Sequence, residues 1–163
     1  MNKVDADFIQ QVYKLFCNHF VGLAIWFDLL NADGTKYGET QFKIYSGTVI
    51  SIKGSWNYLT AGHILGDVEN MVKTNRIIIR ESKYIDYYGI DAISKQPIPF
   101  DYINSPKFFI DKKEIGLDFG LIVIGENTKG LMIKNGIMAI SEHEWKNQPE
   151  DLFEKFWMVG FPK

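Results

Sequence analysis

The chain has 163 residues with 18 Lys+Arg against 20 Asp+Glu, a formal net charge of −2. That length supports one domain with a real core and no need of staples. The 46% hydrophobic and 23% charged content excludes a disordered chain. A pI near 5.9 gives no basic field, so nucleic-acid binding by bulk charge is excluded. A single cysteine, Cys17, allows neither an internal disulfide nor a cysteine-rich metal site.

Residues 5–20 have the pattern of an amphipathic helix. Phe8, Val12, Leu15, Phe16 and His19 share one face, with Asp5 or Asp7 as cap. The stripe is expected to dock on the rest of the domain, with a partner protein as the alternative. Cys17 lies off that stripe. It is two residues from His19, and i and i+2 do not face each other on a helix, so the pair does not form a nucleophile and base. The N-terminus has no apolar h-region, and no segment approaches the ~20 apolar residues needed to cross a bilayer. The expectation is a cytoplasmic protein with no membrane and no nucleic-acid partner.

The period then changes to that of strands. Val21–Leu30 is a strand closed by the Asn31-Ala32-Asp33-Gly34 turn, and Thr40–Ile52 is a second with Gly47 inside it. Lys53-Gly54-Ser55 turns the chain into Trp56–Ala61. Arg76–Tyr88 continues the β pattern, with Ile77, Ile78 and Ile79 expected as a buried run. Ile90–Pro106 holds Pro97, Pro99 and Pro106 and is expected to be an irregular surface loop. Gly120–Ile124 is a short apolar strand. Ser141–Glu154 is polar, expected as loop plus a helical turn and the one plausible linker. Phe156–Val159 is a last apolar run, closed by Gly160-Phe161-Pro162. Short strands between turn signals predict a mostly β sandwich or barrel.

Two segments carry chemistry. Ser46-Gly47-Thr48-Val49-Ile50 leads through a turn to Thr60-Ala61-Gly62-His63, and Gly116-Leu117-Asp118 enters Phe119-Gly120-Leu121-Ile122. With the closing Val159-Gly160-Phe161-Pro162, these motifs resemble the trypsin-like serine peptidases of the chymotrypsin fold, in their bacterial intracellular form, over residues 40–162. There a Gly-containing strand leads to a Thr-Ala-[Ala/Gly]-His motif, and an Asp precedes a short buried strand. His63 and Asp118 stand 55 residues apart, which suits the loops between barrel strands.

The resemblance implies an N-terminal helix over 1–20, a first trypsin-like β-barrel over 21–140, and a linker with the first strand of a truncated second barrel over 141–163. It implies peptide-bond hydrolysis of a protein or peptide substrate, with catalytic His63 as general base and Asp118 as the carboxylate that holds its tautomer. Ala61, Gly62 and Gly120 would let the backbone pack beside the ring. No cofactor and no metal are implied. His143, between Glu142 and Glu144, lacks a spaced partner ligand and is read as a solvated loop residue.

The family's nucleophile sits in a Gly-x-Ser-Gly motif, and none of Ser46, Ser51, Ser55, Ser82, Ser94, Ser105 or Ser141 has that context. Nucleophile, oxyanion amides and specificity pocket would belong to a C-terminal barrel. The 163 residues alone are therefore expected to be inactive. The alternative is a non-catalytic peptidase-fold module that binds protein, through the Tyr84–Tyr88 strand or the N-terminal helix.

Overall fold

The computed structural model describes residues 17–85 and 97–145. Seven strands form one antiparallel sheet: β1 (Phe20–Leu30), β2 (Lys36–Ile52), β3 (Ser55–Thr60), β4 (Ile77–Ile85), β5 (Ile98–Pro99), β6 (Lys107–Lys112) and β7 (Leu117–Val123). Their order across the sheet is β5-β4-β1-β2-β3-β7-β6. Helix α1 (Gly62–Lys73) follows β3, α2 (Glu126–Lys134) follows β7, and α3 (Glu142–Trp145) is a single turn.

The β1–β2 hairpin is written locally. Asp33 Oδ1 accepts from the Thr35 amide at 3.0 Å and the Thr35 hydroxyl at 2.6 Å, while Gly34 takes φ +81°. That is an Asx-type turn with glycine where the backbone turns left-handed. Beyond it, β1 alternates. Val21, Leu23, Ile25 and Phe27 enter the core, where they meet Val49, Tyr58, Tyr84 and Ile122. Burying each such aliphatic side chain stabilises the fold by about 1.5–3 kcal/mol relative to exposure.

Strand β1 carries one buried acid. Asp28, 2% exposed, lies where the pairing of β1 with β2 shifts register. It accepts from Thr40 at 2.6 Å, from Lys36 at 2.9 Å and from Arg80 Nε at 2.7 Å. The Thr40 hydroxyl and the Lys36 ammonium lead in holding this carboxyl well below the usual range. A buried charge persists only when so paired, and here the pairs tie β1 to both neighbouring strands.

Helix α1 packs on β6 and β7 and reaches β4. Leu65 and Val68 are buried, and Met71 and Val72 pack against the core. Their i, i+3, i+6 and i+7 spacing is a helical signal in a stretch, between Ala61 and Arg76, for which no element was expected.

Two expectations differ from the structure. Ile77 is buried, but Ile78 is 42% exposed and Ile79 half-buried, because successive strand residues face opposite sides. Residues 97–106 are not merely surface loop: β5 pairs with β4, and the Ser82 hydroxyl donates to Phe100 O at 2.5 Å. Tyr102, 1% exposed, belongs to the core. Strand β6 and helix α2 had no counterpart in the sequence reading. The other strands match it within a few residues, and α3 is the helical turn expected after Ser141. The helix expected before residue 17 and the run Phe156–Val159 lie outside the described residues.

Candidate functional site

The site forms where β3 ends and α1 begins. The Thr60 hydroxyl donates to Ser46 O at 2.8 Å and anchors the strand end on β2. Ala61 is the N-cap and has no side chain able to accept from the helix. Asp118, at the start of β7, supplies the missing acceptor. Its Oδ1 takes the His63 amide at 2.8 Å, and its Oδ2 takes His63 Nδ1 at 2.6 Å.

The carboxylate thus grips one residue twice. The His63 amide, then the His63 ring, hold the Asp118 carboxyl below its ordinary range. A helix N-terminus favours negative charge for the same reason. With Nδ1 donating to the carboxylate, the neutral imidazole carries its lone pair on Nε2. The side chains are 43% and 33% exposed, so the dyad opens to solvent. Chemically, this is a base held in one tautomer, able to accept a proton at Nε2.

The glycines around the site are required by packing, though not beside the ring as expected. A Cβ on Gly62 would strike the carbonyl of Ile110 in β6, and one on Gly120 would strike Leu65 of α1. Both glycines let α1 seat against β6 and β7, and this seating places His63. Gly47 does the same for the core, since its Cβ would overlap the Tyr58 ring. Tyr58 in turn donates to Tyr45 O at 2.8 Å.

The sequence reading missed Asp111. In β6 it stands directly across the ladder from Asp118. The register of β6 on β7 was the only way to find it.

Among the described residues no serine hydroxyl meets the His63 ring. Ser82 is bound to Phe100 O, Ser105 to Asp101 O and Ser141 to Glu144. Ser94 lies outside the described residues. His143 is exposed in α3, as expected. His19 bonds Met138 O through Nδ1 at 2.7 Å and serves the packing of residues 137–140 on the start of β1. No group of three His, Cys, Asp or Glu able to hold a metal occurs among the described residues. Nor is any helix among them long and apolar enough to cross a membrane.

No family model matches this chain, and neither the curated proteins nor the solved structures contain a match to it.

Proposed function

We propose that this chain carries the base half of a trypsin-like serine peptidase site. His63 is the general base, Asp118 fixes its tautomer, and the serine and oxyanion donors come from a second polypeptide segment. The supporting observation is the double bond of Asp118 to His63, through both the ring and the amide. A carboxylate needed only as a helix cap would be satisfied by the amide. The ring bond adds the arrangement that acyl transfer requires. The antiparallel sheet sets β3 and β7 side by side, as a trypsin-like first barrel would, although its order runs from an edge at β5 to an edge at β6 and does not close among the described residues. By this reading the protein acts in the cytoplasm on a protein or peptide substrate.

The second reading is a binding module with the peptidase fold and no catalysis. It is favoured by the same carboxylate doing structural work, since Ala61 leaves α1 without a cap of its own.

One experiment separates the two. The chain is produced with a complementary segment bearing a Gly-x-Ser-Gly motif, fused or as a separate polypeptide, and exposed to a fluorophosphonate probe, which reports an activated serine. The peptidase reading expects labelling of the new serine and its loss in His63→Ala. Failure of a folded, assembled complex to label supports the binding module.

A further inference from the structure

Helix α1 is held at its first turn by one side chain. Asp118 takes the His63 amide and the His63 ring together, and Ala61 offers no cap of its own. A carboxylate that grips both groups acts as a pivot. If α1 rolled about its own axis, the ring would turn away from Oδ2 while the amide kept Oδ1. A second fixed point further along the helix prevents that roll.

Gly62, Gly66 and Glu69 share one face of α1, at the i, i+4 and i+7 spacing. This face meets β6 in reverse order. Gly62 sits on the Ile110 carbonyl, Gly66 faces the Phe109 ring, and Glu69 Oε1 lies 3.5 Å from Lys107 Nζ. The two glycines let the helix come close, but they have no side chain to resist sliding or rolling. Of the three, Glu69 alone brings a charge to a charge.

Lys107 is itself immobilised. Its side chain is 9% exposed and that of Glu69 20%. The ammonium donates to the carbonyls of Tyr102, of Ser105 at 3.0 Å and of Ile103 at 3.3 Å, and it lies 4.4 Å from the centre of the Tyr102 ring. Those carbonyls belong to a turn closed on itself. The Asn104 amide donates to Asp101 Oδ1 at 3.1 Å, and the Ser105 hydroxyl to Asp101 O at 2.6 Å. Buried Tyr102 roots the turn in the core. An exposed lysine sways and its ion pair contributes little, whereas one caged in this way is a fixed charge whose partner is held in turn.

We propose that Glu69 and Lys107 are positioning residues for His63: their ion pair sets the roll of α1 on β6, and through it the ring bond to Asp118. The role rests on the reading of His63 as a general base. Both residues act through the helix, since Glu69 stands about 9 Å along it from His63. Without the pair, Leu65 and Val68 still pack α1 on the core, but the ring is free to leave Oδ2.

The test is nitrogen NMR of the histidine rings in the full chain, above neutral pH, where an ordinary imidazole is uncharged. The native His63 ring should show the fixed Nδ1–H tautomer. Glu69→Gln keeps the shape and removes the charge, and should give the averaged shifts of a ring exchanging between both tautomers. Lys107→Met, which keeps an unbranched stem, should do the same. Gly47→Ala disturbs the core away from α1 and should keep the native tautomer. A folded Glu69→Gln or Lys107→Met chain that keeps the native tautomer overturns the proposal. So does averaging in Gly47→Ala, which would show that the ring follows overall stability and not the ion pair. A complemented complex that never labels its serine would refute the peptidase reading alone, because the tautomer is measured on this chain by itself.

Discussion

Asp118 Oδ1 and Oδ2 bind the amide and the ring of His63 at 2.8 and 2.6 Å, so one carboxylate fixes both where the helix starts and which way its imidazole turns. The two roles are separable by substitution. Asp118→Asn keeps an oxygen for the amide but sets an NH2 group or a weaker acceptor against the ring. It should leave the fold intact and change the tautomer of His63, read from imidazole nitrogen chemical shifts. In a complex carrying an added serine, the same change should lower turnover by about 10⁴-fold, as expected when the wrong tautomer is held. An unchanged tautomer would argue that the ring bond is incidental.

The pH response has a definite sign. The folded Asp118 carboxyl is depressed below its ordinary value near 4. Its contribution is therefore complete above that ordinary value and is lost as pH falls through the lower folded one. Hydrogen-exchange protection in the first turn of α1, taken relative to the intrinsic rate at each pH, should fall on acidification below about pH 4 in the native chain. Asp118→Asn should show no such step. Loss of protection spread equally over all elements would instead report global unfolding.

Gly62→Ala should be costly for a residue so small. The new methyl meets the Ile110 carbonyl, which the β6–β7 ladder holds in place. Overpacking of this kind costs about 1–3 kcal/mol. Thermal unfolding should show that loss, and the His63 ring resonances should shift because α1 is displaced.

Gly47→Ala tests the core away from the site. Its methyl would overlap the Tyr58 ring, whose hydroxyl is tied to Tyr45 O. A loss of about 1–3 kcal/mol is expected, with the His63 resonances nearly unmoved. The double variant Gly47→Ala with Tyr58→Leu should recover part of it, because the smaller side chain makes room.

The described chain should be catalytically silent by itself. No described serine meets His63, so fluorophosphonate labelling should stay at background. Labelling of Ser82, Ser105 or Ser141 would contradict the hydrogen bonds that now engage them.

Much of this molecule is legible from local pattern. Alternating apolar residues locate β1, β2 and β3, and Asn31-Ala32-Asp33-Gly34 dictates its turn, because these signals act between neighbours in sequence. The pairing of His63 with Asp118 was also readable as a motif, though the reasons for Gly62 and Gly120 were not. Those glycines answer to Ile110 and Leu65, residues that sequence distance gives no cause to connect. Helix α1 carries its apolar spacing in the sequence, but where it sits is decided by packing on β6 and β7. Asp28 looks like any strand acid until Thr40, Lys36 and Arg80 converge on it. The amino-acid order by itself determined the β character and pointed to the His63–Asp118 pair that the structure brings together. Only the tertiary structure decided which strands lie at the edges of the described sheet and which residue stands across the ladder from Asp118, because register is set by the summed packing of one whole strand on another.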